Sequence, residues 1–281
     1  MAAVLELTGL AKNYGEREAV KGLDLRVERG EIFGLLGPNG AGKTTTISMA
    51  CGVVPPSRGA IRIAGHDLAS DGEKARRAIG LVPQELAVYE ELTPRQNLVF
   101  FGELYGLRDA ALGKAVDAAL SVSELADRAD DLVKNLSGGM KRRLNLAAGL
   151  VHEPALLVCD EPTVGVDPQS RRHIFDSIRA LRDRGMTIIY TTHYMEEVEE
   201  LCDRIAIMDH GAIIAQGTLA ELQAQHGGGG LEVELAGDDA TLEAAVKAIE
   251  TTGARIERKG AKRANLETVF LTLTGRSLRD N

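Results

Sequence analysis

Residues 37–44 read Gly-Pro-Asn-Gly-Ala-Gly-Lys-Thr. A short apolar run, Ile32–Leu36, precedes this stretch, and a segment of helical pattern, Thr44–Cys51, follows it. A strand, a glycine-rich loop and a helix in this order are the context of a phosphate-binding P-loop, whose glycines let backbone N–H groups face the phosphates. The helix N-terminus adds partial positive charge. The stretch therefore predicts a nucleotide site in which Lys43 reaches the β- and γ-phosphates and Thr44 binds Mg²⁺.

Two adjacent carboxylates, Asp160 and Glu161, end a second apolar run that begins at Ala155. The carboxyl end of such a strand is where open α/β sheets bind ligands. Because successive strand residues point in opposite directions, we expect the two acids to have different tasks. Asp160 is predicted on the Mg²⁺ side, and Glu161 is predicted as the general base that orients water toward the γ-phosphate.

Short strands and helices alternate along the chain, which is typical of a parallel α/β sheet. The predicted strands are Val4–Leu10, Leu23–Val27, Ile32–Leu36, Ala60–Ala64, Ile79–Val82, Leu156–Cys159 and Thr187–Tyr190, followed by a hairpin of Ile205–Met208 and Ala212–Ala215. A helix is predicted around Arg171–Arg184. From Thr93 to about Leu132 the pattern is helical with few strand signals, which predicts a helical subdomain inserted in the α/β core.

Composition limits the classes of protein that the chain can represent. Its 281 residues suffice for one large α/β domain and a small appendage. The net charge of −8 disfavours nucleic acid as a partner. The three cysteines lie far apart, without disulfide or zinc spacing, and predict reduced thiols. The N-terminus does not resemble a signal peptide and no run reaches the ~18 apolar residues that span a bilayer, so any membrane crossing is expected from another chain.

A second conspicuous stretch is Leu136-Ser-Gly-Gly-Met140, which precedes a helical pattern. Ser137 is a good N-cap, so this stretch predicts another helix N-terminus that attracts anions. Further along, Gly227–Gly230 is a run of glycines that predicts a flexible linker. Beyond it, residues 231–281 are predicted to form a small β-α-β appendage, with a plain stabilising tail as the alternative.

These motifs, in this order, resemble those of the ATP-binding subunit of an ABC transporter, over residues 4 to about 222. The resemblance rests on Asn13-Tyr14-Gly15 (A-loop), Gly37–Thr45 (Walker A), Val82-Pro-Gln84 (Q-loop), Leu136–Met140 (signature), Leu156–Glu161 (Walker B), Gly165-Val-Asp167 (D-loop) and Thr192-His193 (H-loop). The sequence departs from the commonest pattern at Met140, where the signature usually has Gln, and at Val166, where the D-loop usually has Leu. Neither change removes a group expected to face phosphate.

The resemblance implies a set of site residues. Those implied in ATP binding are Tyr14, Gly37, Pro38, Asn39, Gly40, Ala41, Gly42, Lys43, Thr44, Thr45, Ser137, Gly138, Gly139 and Asp167. Those implied in catalysis are Lys43, Gln84, Glu161 and His193, and those implied in holding Mg²⁺ are Thr44, Gln84 and Asp160. Ser137 and Gly139 are implied to serve ATP that is held by the P-loop of a second copy.

The resemblance also implies a fold and partners. We expect an α/β fold with a P-loop NTPase core of ABC type over residues 1–226, with an antiparallel β subdomain and a helical subdomain at about 85–155. The implied partners are a second copy, or a paralogous ATP-binding chain, in a head-to-tail dimer around two ATP, and a separately encoded transmembrane permease. The implied location is the cytoplasmic face of the cell membrane, and no nucleic acid partner is expected.

Looser patterns suggest the kind of transporter. Residues Glu90–Thr93 and Phe100–Gly102, the signature Met140 with the basic residues after it, and the segment Leu266–Arg276 resemble ATPases of ABC-2 and drug-resistance exporters. A drug, antibiotic or lipid-like cargo is therefore expected. Two alternatives are a soluble ABC-type ATPase acting on ribosomes or DNA, and a non-catalytic regulatory cassette. The single cassette and acidic charge disfavour the first, and the intact Glu161 and His193 disfavour the second.

Overall fold

A computed structural model describes residues 3–226, together with residues 244, 247–249 and 251. The chain divides into two compact units, Met1–Leu219 and Ala220–Asn281. The strands are β1 Ala3–Tyr14, β2 Arg17–Glu28, β3 Ile32–Leu36, β4 Arg58–Ile63, β5 His66–Asp67, β6 Ile79–Val82, β7 Leu156–Asp160, β8 Thr187–Thr192, β9 Arg204–Asp209 and β10 Ala212–Gly217. The helices are α1 Lys43–Ala50, α2 Gly72–Arg77, α3 Pro94–Leu104, α4 Asp109–Val122, α5 Gly138–Leu150, α6 Pro168–Asp183, α7 Met195–Leu201 and α8 Leu219–His226.

The larger sheet of the described residues has six strands in the order β10-β9-β3-β8-β7-β6. Neighbouring strands within this sheet are parallel, except that β10 pairs antiparallel with β9. Every residue of β3, β7 and β8 is buried, as expected for parallel strands covered on both faces. The carboxyl ends of β3, β7 and β8 therefore meet at one edge of the sheet.

An antiparallel sheet in the order β2-β1-β4-β5 packs against one face of the larger sheet in the described part of the chain. Its strand β2 buries Leu23, Leu25 and Val27 in alternation, which is the pattern of a strand with one covered face. These side chains share a core with Phe33 and Leu35 of β3. The predicted antiparallel subdomain is thus confirmed.

Helices cover the opposite face and form the inserted subdomain. Helix α6 packs Phe175 and Ile178 against Tyr190 of β8. Helix α5 contributes Leu146 to that core and Leu144 to another core, which it shares with α3 and α4. Helix α5 therefore connects the α/β core with the helical subdomain, and the predicted fold class is confirmed.

The structure differs from the predicted boundaries in several places. Strand β1 continues past the predicted Leu10 to Tyr14, and β2 begins at Arg17, before the predicted Leu23. Tyr14 therefore lies beside the hairpin turn between the two strands. Ala64, predicted as strand, has a φ of +49° and belongs to the turn between β4 and β5. Helix α6 begins at Pro168, before the predicted Arg171, because the Asp167 side chain caps it and proline is favourable in the first turn.

The predicted linker, Gly227–Gly230, lies outside the described residues, as does most of the predicted appendage over residues 231–281. Residues 244, 247–249 and 251 are helical. Within the part of the chain that the structure describes, no helix combines the length and the apolar character needed to cross a bilayer.

Candidate functional site

The glycine-rich loop lies between β3 and α1 and is pressed against neighbouring backbone. A Cβ atom at Gly37 would lie 2.4 Å from the carbonyl oxygen of Met208. Gly42 has a φ of +104°, and a Cβ there would lie 2.8 Å from the carbonyl oxygen of Ala19. Only glycine fits at these two positions. Gly42 is also the N-cap of α1 and supplies no capping side chain, so the N–H groups at the start of the helix are available to bind an anion.

Lys43 opens α1 and is almost completely buried. Its Nζ donates to the carbonyl oxygens of Gly37, at 2.7 Å, and Pro38, at 3.2 Å. The same Nζ lies 3.1 Å from Oε1 of Glu161. The loop thus folds around the ammonium group, which is held at the carboxyl edge of the sheet.

Asp160 is the last residue of β7 and faces this cradle. Its Oδ1 accepts a hydrogen bond from Thr191 Oγ1 at 2.6 Å, and its carboxylate also accepts one from the Thr44 hydroxyl. Burial raises the pKa of Asp160, the nearby Glu161 raises it further, and the hydroxyl hydrogen bonds oppose the rise. Hydroxyl and carboxylate oxygens are ligands that Mg²⁺ prefers, so Thr44 and Asp160 form a donor set that fits this ion.

Glu161 departs from the predicted alternation of strand side chains. The strand ends at Asp160, and Glu161 has a φ of +45°, which is uncommon for a residue other than glycine. Its backbone N–H donates to Thr191 Oγ1 at 3.0 Å and so holds this turn. Both carboxylates consequently face the same cradle, because strand alternation no longer applies after Asp160.

His193 follows β8 directly and lies next to Glu161, on the side opposite Lys43 in the sequence of contacts. Its Nδ1 lies 3.2 Å from Oε2 of Glu161, while Oε1 of the same carboxylate faces Lys43. In this arrangement Nδ1–H donates to the carboxylate. Glu161 is therefore held from two sides by residues of two other segments.

Residues of several predicted motifs line one cavity of about 340 Å³. Its lining residues are Tyr14, Arg17, Ala19, Asn39, Gly40, Gly42, Lys43, Thr44, Thr45, Gln84 and Glu161. Half of the Tyr14 side chain is exposed at its margin, and Lys12 Nζ lies 5.2 Å from the ring centroid. A larger groove, of about 560 Å³, lies over the antiparallel sheet; it is lined by mutually paired charges such as Glu6 and Arg26, which lie 3.2 Å apart.

The signature residues lie elsewhere, at the start of α5. Ser137 Oγ accepts a hydrogen bond from the backbone N–H of Met140 at 3.2 Å, as predicted for an N-cap. A Cβ at Gly139 would lie 2.0 Å from Ser170 Oγ, so α5 and α6 approach each other closely at their N-termini. Asp167 caps α6 by accepting from the backbone N–H of Ser170 at 3.0 Å. Ser137, Gly138, Gly139 and Asp167 do not line the cavity of the described chain.

A buried network beneath the site was not anticipated from the sequence. Glu197 of α7 is 2% exposed and accepts hydrogen bonds from Thr163 Oγ1 at 2.7 Å, Tyr190 Oη at 3.0 Å and Thr192 Oγ1 at 2.7 Å. Burial, followed by the adjacent Glu197, raises the pKa of Tyr190 well above its ordinary value. The network connects the segment after Glu161 with the residue before His193. In the sequence Glu197 is one of four glutamates in α7, and a glutamate in such a helix by itself predicts a surface residue.

Comparisons with known proteins identify the family of the chain. The model of the ABC transporter family matches residues 20–164. The chain is 42% identical to the linearmycin resistance ATP-binding protein LnrL of Bacillus subtilis (strain 168), over 99% of this chain and 100% of that protein. It is 40% identical to the Nod factor export ATP-binding protein I of Ralstonia nicotianae (strain ATCC BAA-1114 / GMI1000), over 99% of this chain and 95% of that protein.

A solved structure shows that the fold is shared as well. The cbiO1 protein of Clostridium perfringens, described as part of the ABC transporter complex cbiONQ, superposes with a TM-score of 0.73 at 31% identity, over 80% of this chain and 92% of that one. These names give no support to action on ribosomes or DNA. With the family match, the relatives' identity over nearly the whole chain and a shared fold, the chain belongs to the ABC transporter family as an ATP-binding subunit that hydrolyses ATP.

Proposed function

We propose that the chain is the motor subunit of an ABC-2 type exporter. In this proposal two copies, or this chain and a paralogous one, dimerise head-to-tail around two ATP. The dimer drives a separate transmembrane permease from the cytoplasmic face of the cell membrane. The observation that carries the proposal is the single cavity in which Tyr14, the glycine-rich loop, Gln84 and Glu161 meet.

Each group has a role that its surroundings support. Tyr14 stacks on adenine, the loop from Gly37 to Thr45 holds the phosphates, and Lys43 neutralises their charge. Glu161 is the general base that takes a proton from the attacking water, and His193 holds the carboxylate and contacts the γ-phosphate. The Glu161 side chain is well placed for this because His193 holds one of its oxygens, and the other becomes available to water when Lys43 pairs with phosphate.

Mg²⁺ fits the oxygen ligands offered by Thr44 and Asp160, with Gln84 at the cavity wall. When bound, the ion supplies charge neutralisation for the β- and γ-phosphate oxygens. Thr191 contributes by holding the Asp160 carboxylate in position through its hydroxyl.

The signature belongs to the neighbour's site in this proposal. Ser137 and Gly139 lie at a helix N-terminus that attracts anions, yet they do not line the cavity of their own chain. Asp167 lies at the adjacent α6 N-terminus and is exposed. Head-to-tail pairing makes these groups the second wall around ATP held by the partner's glycine-rich loop.

The permease is proposed to contact the segment from Gln84 to Leu107. Exposed apolar side chains are concentrated there, with Leu86 and Tyr89 after the Q-loop and Leu104, which is 66% exposed, at the end of α3. Tyr89 packs edge-on against Phe100, with ring centroids 5.0 Å apart. An apolar coupling helix of the membrane subunit fits a surface of this kind.

Export of a drug, antibiotic or lipid-like compound is proposed because two relatives are named for linearmycin resistance and Nod factor export. The separate permease is supported by the relative described as part of a larger transporter complex. No residue of this subunit is proposed to contact the cargo.

Two mixed dimers test whether sites are shared between copies. In the first, one copy carries Ser137→Arg and the other Lys43→Ala, which leaves one complete site if the signature acts across the interface. In the second, one copy carries both substitutions and its partner is wild type, which leaves none. We expect ATP hydrolysis in the first and almost none in the second. The reverse result would show that each chain uses its own signature.

Permease docking is tested by the double substitution Leu86→Asp/Leu104→Asp, with Val53→Asp as a control because Val53 is as exposed as Leu104 but lies in the turn after α1. The measurement is co-purification with the co-expressed membrane subunit from detergent-solubilised membranes. We expect the double variant to lose the membrane subunit and the control to retain it. Equal retention by both would contradict the proposed docking surface.

A further inference from the structure

The segment between β6 and α3 is attached to the signature helix α5 through one buried amide. Asn145 is 2% exposed. Its Nδ2 donates to the carbonyl oxygen of Pro83 at 3.2 Å, and its Oδ1 accepts from the backbone N–H of Ala87 at 3.0 Å. Both ends of the amide are therefore used by main-chain groups that flank Gln84, the residue at the cavity wall.

Arg142 lies one turn earlier on α5 and makes two further attachments. Its Nη1 donates to the carbonyl oxygen of Gln84 itself. Its Nη2 donates to the carbonyl oxygen of Val164, the residue before the D-loop, at 3.2 Å. One guanidinium group thus connects the Q-loop and the residue before the D-loop through backbone atoms, which leaves the Gln84 side chain available to the cavity.

The far end of the segment is anchored as well. Lys141 Nζ lies 2.6 Å from Oε1 of Glu90. The buried Asn97 of α3 accepts from the backbone N–H of Tyr89 at 2.8 Å and donates to its carbonyl oxygen at 3.0 Å. These side-chain contacts attach the segment to α5 and α3, although in the chain it continues directly from β6.

We propose that Asn145 and Arg142 are positioning residues that hold the Q-loop segment, residues 83–87, against α5 and so place Gln84 at the cavity wall. The positioning of Gln84 depends only on the contacts above, and its effect on ATP hydrolysis rests on the proposed function. Neither residue touches ATP or Mg²⁺ in this proposal.

The two side chains are suited to this task by their hydrogen-bonding groups. Asparagine carries one acceptor and two donors in a fixed plane, which matches a carbonyl and an N–H group four residues apart in the partner segment. Leucine has similar size but no such groups, so Asn145→Leu leaves the Ala87 N–H without its acceptor. Arginine reaches the two carbonyls with two separate nitrogens of one planar group, Nη1 and Nη2, whereas lysine offers a single nitrogen.

The test uses the full chain with Asn145→Leu, Arg142→Lys and, as a matched control, Ser123→Ala. Ser123 is a buried polar residue of the same subdomain whose hydroxyl bonds only carbonyls of its own helix, those of Ala119 and Leu120. Three quantities are measured well below the melting temperature: hydrogen exchange of the peptide covering residues 84–90, KM for ATP, and kcat.

We expect exchange in that peptide to accelerate in Asn145→Leu, and kcat to fall by about tenfold to hundredfold because Gln84 is misplaced, while KM changes much less. Arg142→Lys is expected to lower kcat by a smaller factor without loss of folding. The Ser123→Ala control is expected to keep both exchange and kcat at wild-type values.

A kcat within about twofold of wild type in folded Asn145→Leu and Arg142→Lys would overturn the proposal, as would unchanged exchange at residues 84–90. If Asn145→Leu fails to fold, Arg142→Lys decides the outcome by the same criteria. Failure of the proposed function looks different, because the mixed dimers would then show no sharing of sites between copies, while the exchange of residues 84–90 would still report the attachment.

Discussion

Lys43 Nζ and Glu161 Oε1 form an ion pair at 3.1 Å, and both side chains are almost completely buried. The pair joins the first turn of α1 to the residue that follows β7. It places the cation proposed to bind phosphate in direct contact with the proposed general base. Phosphate oxygens and the Glu161 carboxylate are therefore alternative partners for one ammonium group.

Lys43→Ala is predicted to weaken ATP binding by about tenfold to hundredfold, since a charge-assisted hydrogen bond contributes about 1.5–3 kcal/mol. The measurement is the dissociation constant of a fluorescent ATP analogue. Lys74→Ala is a suitable control because Lys74 is exposed and paired with Asp71 on α2. Equal affinity in the two variants would contradict the proposed role of Lys43.

Thr191→Val is predicted to lower kcat by about tenfold to hundredfold with little change in ATP affinity. Valine keeps the shape of the side chain but removes the donor to Asp160 and the acceptor for the Glu161 N–H. Thr187→Val is the matched control, because Thr187 lies at the other end of β8 and its hydroxyl accepts from Gly30. Steady-state kinetics of the two variants check the prediction. Equal kcat values would show that the Thr191 hydroxyl does not position Asp160 and Glu161 for hydrolysis.

Glu197→Ala is predicted to lower the free energy of unfolding by about 3 kcal/mol, because three buried hydroxyls lose their acceptor. For a domain of this size, that corresponds to a fall in melting temperature of roughly 6–12 °C. Glu196→Ala, at the exposed neighbouring position, is expected to change stability by less than about 0.5 kcal/mol. Thermal unfolding of both variants checks the prediction, and equal melting temperatures would contradict it.

Gly139→Ala is predicted to destabilise the protein by about 1–3 kcal/mol, because the new Cβ would lie 2.0 Å from Ser170 Oγ. Gly138→Ala is the matched control, since no described atom lies within 4 Å of a Cβ there. Alanine is also the better helix former at that position. The double substitution Gly139→Ala/Ser170→Gly is expected to recover part of the lost stability in denaturant unfolding, because it removes the clash but places a glycine in α6. A Gly139→Ala variant as stable as Gly138→Ala would show that α5 and α6 do not approach as described.

Much of the fold could be predicted because its signals are local. The apolar runs of β3, β7 and β8 each precede a loop with recognisable residues, and the N-caps Ser137 and Asp167 lie next to the helices they start. Such patterns depend on a few neighbouring residues. The parallel sheet then brings the ends of its strands together without further information.

The parts that could not be predicted depend on contacts between distant segments. Asn145 and Pro83 are separated by 62 positions, and Thr191 and Asp160 by 31. Sheet register and helix packing bring these pairs together, and nothing in the residue types alone indicates the partner. The left-handed conformation of Glu161 is similar, because its turn is held by Thr191 from another strand.

The role of Glu161 as general base is tested by ATP turnover of the Glu161→Gln variant of the full chain, measured beside ATP binding. Glutamine is nearly isosteric but cannot take a proton from water, and it no longer pairs its charge with Lys43. We predict ATP binding at least as tight as in wild type and phosphate release that is nearly abolished. Turnover at the wild-type rate would contradict the assignment of Glu161 as the general base of this site.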